Sequence, residues 1–406
     1  MRIEFRHRIY AMALLNNCTL MMFSFAMTRL FAEQGAPLAT MGMLAGAAYL
    51  SYGLGSIAAG RLSDVLGRRK VIALGAGIAL CLLYVATLST NLIFLLVMTG
   101  LVGGAVSLVF PPLIAWLSER ETETGLGPAR SRVLIAFCIS WNIGTVFGAL
   151  TGGLLFTVSH KLPMLTALLF MAALLLLALG SDVNGETVPQ PAADRPAVDP
   201  EAPAAGEASG VPAGHRKKFA RLGWIANIGG AFNMSTILFL FPSLAAYLGI
   251  SASVHGVMLA VSRLTMIAVY FLLHLTLFWR YRISTAFCAQ LLAAMGLLLL
   301  VRGGTVPVLT AGLVLASVLT GYNYFASIFY STTGFGVEQK GMASGLHEAS
   351  LAAGFGGGAV AGGILGSLQG LRAPYRLALW VLAALWLLQC GVYLAGLRRR
   401  VPADNA

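Results

Sequence analysis

The chain has 406 residues, of which 58% are hydrophobic and only 10% are charged, and its formal net charge is +12. A soluble domain carries roughly 25% charged residues, and a water-soluble globule of this length cannot bury so much apolar surface, so that class is excluded. Nucleic-acid binding is not expected either, because the basic residues form short clusters between apolar runs rather than a continuous basic face.

Twelve apolar stretches are long enough to cross a bilayer, which needs roughly 20 residues per helix. They are predicted at residues 9–31, 39–60, 71–89, 93–117, 133–157, 163–180, 222–248, 254–278, 283–301, 306–330, 342–368 and 374–397. The first is too long for a signal peptide and is retained as a spanning helix. The sequence therefore predicts an all-α integral membrane protein with twelve transmembrane helices.

The loop between the second and third stretches reads GRLSDVLGRRK, from Gly60 to Lys70. It resembles the signature loop of the major facilitator superfamily, whose pattern is G-x-L-[AS]-D-[RK]-x-G-[RK]-[RK]; only Val65 departs from it. The residues that match are Gly60, Leu62, Ser63, Asp64, Gly67, Arg68 and Arg69. The two glycines permit tight turns, and a carboxylate at a membrane edge needs a cation or a helix N-terminus.

This resemblance implies two pseudo-symmetric six-helix lobes that work by alternating access. It also implies that Gly60, Asp64, Gly67, Arg68 and Arg69 form a conformational latch, with Asp64 near the start of the eleventh helix at 342–345. Gly148-Ala149 replaces the Gly-Pro of many drug exporters, which weighs against a multidrug antiporter. Thr99 stands where an arginine is common, which weighs against a proton relay through helix four.

A hydrophilic segment rich in proline and alanine divides the chain into two halves. We expect an N-terminal lobe at 1–180, a flexible linker at 181–221 and a C-terminal lobe at 222–406. The two halves share the pattern G-x-x-x-G-A-x-x-G-G, at 144–153 and at 354–363, and Gly42 has a weaker counterpart in Gly256. These glycines are expected to form central contacts between the lobes; generic small-residue packing is the alternative.

The distribution of basic residues predicts the orientation in the membrane. Most Lys and Arg residues fall on the side that holds both termini, and the other side carries only Lys161, Arg302, Arg372 and Arg376. By the positive-inside rule both termini are cytoplasmic. The expected location is the cell (inner) membrane.

Arg263 and Glu348 are predicted to approach mid-membrane depth, where charged side chains are costly and usually functional. The hypothesis is that Arg263 holds an anionic or polar substrate group while Glu348, with His347, binds a proton or substrate. The alternative is a permanently satisfied interior ion pair. Arg29 and Glu33, four residues apart at the outer end of the first helix, are interpreted as an interfacial pair.

Uncharged polar residues near helix centres complete the predicted site. A polar stripe in the tenth stretch, from Thr320 to Ser331, is expected to face a cavity. The substrate-binding prediction comprises Arg263, Asn17, Trp141, Asn142, Asn233, Asn323 and Tyr324. For any single asparagine, hydrogen bonding between helices is an equally good interpretation.

Enzyme chemistry is not expected. His347 and Glu348 begin HEASL, but a zinc-hydrolase motif needs a second histidine where Leu351 stands. No phosphate-binding or dinucleotide-binding motif is present, the cysteines have no metal-ligand spacing, and no cofactor or metal is predicted.

The sequence therefore predicts a secondary active transporter of a small polar or anionic organic solute, working by alternating access and coupled to protons. An exporter of hydrophobic compounds or drugs is one alternative. A non-transporting membrane receptor on the same fold is another. The expected partners are the solute, the lipid bilayer and a coupling proton, with the protein as a monomer.

Overall fold

The computed structural model describes residues 5–123, 129–180, 211–334 and 340–398, and within these ranges the chain is helical without strands. Inside the helices, the side chains of 57, 60, 61, 64, 118–123, 129–134, 332, 333, 340–345 and 396–398 are not described.

Seven helices precede the predicted linker. They are α1 (Phe5–Glu33), α2 (Leu38–Leu66), α3 (Arg68–Ala86), α4 (Leu92–Ser107), α5 (Phe110–Glu123), α6 (Ala129–Val158) and α7 (Lys161–Leu179). A break before Pro111 and Pro112 separates α4 from α5, because proline cannot donate the backbone hydrogen bond that a continuous helix needs. The two still make one apolar crossing, Leu92–Leu117.

The second half has the same plan. Its elements are α8 (Ala213–Ser235), a π turn (Thr236–Leu240), α9 (Phe241–Tyr247), α10 (Ala252–Leu275), α11 (Ile283–Arg302), α12 (Val306–Thr333), α13 (Lys340–Gln369) and α14 (Ala373–Arg398). The π turn lies just before Pro242 in α9, and the run from Ala213 to Tyr247 is one crossing. Helix α8 begins inside the segment predicted as linker; the lobe boundaries stay a prediction.

Eleven crossings in the described part of the chain are long and apolar enough to span a membrane, and α2, with 29 residues, is the remaining long helix. The prediction of a twelve-helix, all-α membrane protein is confirmed. With α2 the described helices make twelve crossings, an even number, so α1 begins and α14 ends at the same end of the bundle. We call the opposite end, where α1 meets α2 and α9 meets α10, the far face.

Two glycine crossings join the two halves of the bundle. Gly153 of α6 lies against α10: a Cβ there would be 2.7 Å from the Ala252 carbonyl oxygen and 2.9 Å from the Gly256 Cα. Gly363 of α13 lies against α2 in the same way, with a Cβ 3.0 Å from the Gly42 Cα. The predicted contacts between halves are therefore confirmed at these positions.

The other glycines of the repeat pack within one half. Gly144 and Gly148 lie against the backbone of α1, and Gly354 and Gly358 lie against that of α8. The repeat thus brings each long glycine-rich helix to a partner in its own half and to one in the other half.

Polar contacts also close the far face. The backbone N–H of Ala39 donates to Ser367 Oγ at 2.8 Å. Arg29 Nη2 donates to the Ile250 carbonyl at 2.9 Å, while its Nε donates to Glu33 Oε1 at 2.7 Å. The predicted Arg29–Glu33 pair is confirmed, and Arg29 additionally links the two halves.

The signature loop departs from its prediction at one glycine. Gly67 has φ +90° and makes the turn between α2 and α3, but Gly60 is helical, because α2 continues to Leu66. Arg68 donates to Ser63 Oγ, and Arg69 donates to the last carbonyls of α7, with Nε 3.0 Å from the Ala178 oxygen. The side chains of Asp64 and of 342–345 lie outside the described residues, so the latch stays a prediction.

Replacement of Gly363 by alanine should destabilise the protein, because the new Cβ would be 2.5 Å from the Leu38 carbonyl oxygen. We expect a loss of about 1–3 kcal/mol in the free energy of unfolding, measured as a lower midpoint of thermal unfolding in detergent. Gly357→Ala is the matched control on the same helix, since nothing lies within 4 Å of its Cβ position. Equal effects of the two variants would contradict the backbone contact.

Candidate functional site

A central cavity of about 250 Å³ lies between the two halves of the bundle. Helices α1, α2, α4, α6, α8, α10, α12 and α13 all contribute to its wall, together with Phe110 of α5 and the π turn. Most of the lining is apolar or aromatic. The aromatic members are Phe23, Tyr49, Tyr52, Phe110, Trp141, Phe239, Tyr324 and Phe355.

Arg263 of α10 provides a cation in this apolar wall. Its side chain is buried, at 6% exposure, and its contact is weak: Nη1 lies 3.4 Å from the Met266 sulfur. Among the described side chains no carboxylate forms an ion pair with it. A buried guanidinium without an acidic partner favours an anion in the space that it faces.

Glu348 of α13 lines the same cavity and has accessible surface there. In the described part of the structure no ion pair within 4 Å joins it to Arg263. The alternative of a satisfied interior ion pair is therefore not what this conformation contains. The two opposite charges face one cavity and remain separate.

Three of the predicted substrate-binding residues besides Arg263 also line the cavity: Asn17, Trp141 and Tyr324. Asn17 Nδ2 donates to the Ala13 carbonyl of its own helix at 3.0 Å. The rings of Trp141 and Tyr324, from opposite halves, meet edge to face with centroids 5.7 Å apart. Together they form an aromatic contact across the site.

Four predicted site residues do not reach the cavity. Asn233 donates to the Ala316 carbonyl at 2.9 Å and Asn323 to the Ala226 carbonyl at 2.6 Å, so both link neighbouring helices. Asn142 is fully buried and donates to Cys138 of its own helix at 2.8 Å. His347 Nδ1 lies 2.9 Å from Ser327 Oγ. For Asn233 and Asn323 the alternative of inter-helix hydrogen bonding is correct.

The polar stripe of α12 faces mainly its neighbouring helices. Thr320 Oγ1 donates to the Gly230 carbonyl at 3.2 Å, and Ser331 Oγ accepts from Trp224 Nε1 at 2.8 Å. Of this stripe, only Thr320 and Tyr324 line the cavity. The expectation that the whole stripe faces a cavity is therefore wrong, because α8 covers most of it.

The structure adds residues that the predicted site lacked. Asn16 lines the cavity, and both of its amide atoms are buried without a hydrogen-bond partner. Tyr49 of α2 stacks on Phe355 of α13 at 4.5 Å between ring centroids, and Tyr52 lies one turn further along. The three-residue spacing of Tyr49 and Tyr52 puts both on one face of a helix, and this was the signal in the sequence that could have identified them as site residues.

No metal centre is formed by the described residues: they contain no group of three or more His, Cys, Asp or Glu side chains able to hold an ion.

The two kinds of asparagine predict different consequences of mutation. Asn323→Ala removes a bond between α12 and α8 and should lower the free energy of unfolding by about 0.6–1.7 kcal/mol. Asn17→Ala removes only a bond within α1 and should leave the thermal unfolding midpoint nearly unchanged. A larger loss in Asn17→Ala would contradict the assignment of Asn323 to structure and Asn17 to the cavity.

Solved structures of known transporters superpose on this architecture over most of the chain. The nucleoside transporter NupG superposes with a TM-score of 0.71 at 12% identity, over 96% of this chain and 99% of that one. A bacterial homologue of the human lysosomal transporter Spinster gives 0.68 at 16%, over 99% and 100% of the two chains. The human organic anion transporter MFSD10 gives 0.66 at 18%, over 96% and 100%. These likenesses show the fold.

No curated protein sequence is significantly similar to the chain. The model of the Major Facilitator Superfamily, however, matches residues 9–227, more than half of the sequence. The match to this family of membrane transporters, together with the apolar crossings of the described helices, makes this protein a multi-pass membrane transporter and not an enzyme. By its sequence match and its fold, the chain belongs to the Major Facilitator Superfamily.

Proposed function

We propose that the protein is a proton-coupled secondary transporter of a small organic anion with an apolar or aromatic body. The observation that carries this proposal is the buried guanidinium of Arg263, which faces an apolar cavity without an acidic partner among the described side chains.

The charge of Arg263 supports an anionic group on the substrate. A carboxylate or phosphate can accept two parallel N–H bonds from a guanidinium. Hydrogen bonds to a charged group contribute about 1.5–3 kcal/mol each. In a cavity with few other polar groups, this interaction would decide which solutes bind and in which orientation.

The aromatic wall supports an apolar body on the same solute. Phe355 and Tyr49, which stack on each other, and the Trp141–Tyr324 pair present rings from both halves. Aromatic rings stabilise flat or apolar groups by area burial and by stacking or edge contacts. The unpartnered amide of Asn16 offers a donor and an acceptor for one further polar group.

The conformation fits one stage of alternating access. The glycine crossings and the Arg29–Ile250 and Ala39–Ser367 bonds close the far face above the cavity. We place both termini in the cytoplasm on the distribution of basic residues. The far face is then the outer surface, and this conformation is closed to the outside. Transport requires these contacts to part.

Glu348 is the candidate for proton coupling. It lies in the cavity that holds Arg263 and is not paired with it, so protonation would change the net charge that an anionic substrate meets. His347 is the weaker candidate, because its ring bonds Ser327 away from the cavity.

Export of a hydrophobic compound is the second candidate function, favoured by the predominantly apolar cavity wall. The two candidate functions differ in how binding depends on charge. If the protein exports hydrophobic compounds, removal of the Arg263 guanidinium would leave binding intact, whereas loss of Trp141 or Tyr324 would abolish it.

A ligand screen distinguishes the organic-anion transporter from the exporter of hydrophobic compounds. Aromatic and aliphatic monocarboxylates, matched amides and uncharged aromatic compounds would be tested for stabilisation of the detergent-purified protein against heat. We expect anions to raise the unfolding midpoint, and Arg263→Ala to weaken their apparent affinity at least tenfold, since about 1.4 kcal/mol is one factor of ten. Arg302→Ala, at the exposed end of α11, is the control.

Stabilisation by the neutral compounds that survives in Arg263→Ala would favour the hydrophobic exporter instead. Arg263→Lys separates charge from geometry, because it keeps the charge but loses the bidentate fork.

Proton coupling is tested in reconstituted vesicles with an anion found in that screen. Glu348→Gln should retain exchange of the anion across the membrane but lose its accumulation driven by a pH gradient. Glu201→Gln, which removes a carboxyl from the predicted linker, should keep both activities. Gradient-driven accumulation that persists in Glu348→Gln would exclude this carboxyl as the coupling group.

A further inference from the structure

His255 lies at the far-face contact between the two halves, directly before Gly256 of the glycine crossing. Its side chain is fully buried, and neither ring nitrogen has a hydrogen-bond partner. The imidazole is enclosed by aromatic rings from both halves: Phe25 of α1, with centroids 4.9 Å apart, and Phe241 of α9, at 5.6 Å.

The charged side chain near His255 comes from α1. Arg29 of α1 is the charged group that acts on the ring, and it is held by Glu33 and by the Ile250 carbonyl. Of the neighbouring helices, α6 brings Gly153 against Gly256 and Phe156 against Phe25, and α9 brings Phe241 against the ring; none of these residues titrates. Helix α12, which also packs against α10, carries no Asp, Glu, His, Lys or Arg in its sequence. On α10 itself the next charged residue is Arg263, eight residues on, about 12 Å along the helix axis.

This enclosure accommodates only the neutral imidazole. A protonated ring carries two N–H donors, and in the closed far face both would be buried without an acceptor, beside the Arg29 guanidinium. A buried charge without a partner is strongly unfavourable. Once the halves part and water reaches the ring, the protonated form is solvated and the cost disappears.

We propose that His255 is a second proton-binding residue, whose protonation opens the far face of the transporter. The inference rests on the alternating access of the proposed function, but it concerns a site separate from the cavity and independent of Glu348. A proton bound from the far side holds that side open, and the halves close over His255 only after the proton has left. Proton occupancy and access are thereby linked through differential affinity for two states.

The test measures the opening of the far face directly, without a substrate. Gln34 and Tyr247, exposed residues of the two halves at this face, are replaced by cysteine in the full chain after its native cysteines have been substituted. Spin labels on the pair report the distance across the far face by pulsed electron resonance in liposomes at pH 8 and pH 5.

We expect a single short distance at pH 8 and a second, longer distance at pH 5, with the ratio of open to closed protein rising about tenfold. His255→Phe, which fills the same aromatic enclosure without a titratable group, should remain closed at both pH values. His274→Phe at the other end of α10 is the matched control and should keep the response.

Several outcomes overturn the proposal: no pH response in the parent protein, a response that persists in His255→Phe, or one that Glu348→Gln abolishes. If His255→Phe does not fold, His255→Asn, which is neutral at both pH values, serves the same purpose. Because no solute is present, failure of the anion screen would contradict the proposed substrate and leave this result unaffected.

Discussion

The close approach of backbones at Gly153–Gly256 and Gly363–Gly42 is the constraint on which the rest of the structure depends. Between helices in lipid there is no hydrophobic drive, so packing at van der Waals distance must supply the attraction. A glycine pair permits the backbones themselves to touch. These two contacts bring the halves together at one face, and the same four helices, α2, α6, α10 and α13, contribute to the wall of the cavity.

The cavity holds a full positive charge in surroundings of low dielectric constant. Arg263 keeps its charge in an apolar wall, where each electrostatic interaction is larger than in water. The separation of Arg263 from Glu348 matters as much as the presence of either, because a mutual ion pair would satisfy both and leave little for a solute. In the proposed function, the guanidinium is therefore available to an anionic solute and the carboxyl to a proton.

The sequence predicted the fold well and the site only partly, for physical reasons. Long apolar runs and a glycine repeat depend on length and spacing alone, so twelve crossings and the contacts of Gly153 and Gly363 could be read from them. An asparagine in mid-helix is different. Asn323 and Asn17 look alike in sequence, and only the position of α8 decides that one bonds a neighbour while the other faces the cavity.

Arg69 joins two requirements that are otherwise separate. It is one of the basic residues on which the expected orientation in the membrane rests, and in the folded protein its guanidinium binds the last carbonyls of α7. A charge at a helix C-terminus also offsets the helix dipole. A substitution at Arg69 would therefore be expected to change both the charge of the loop and the end of α7.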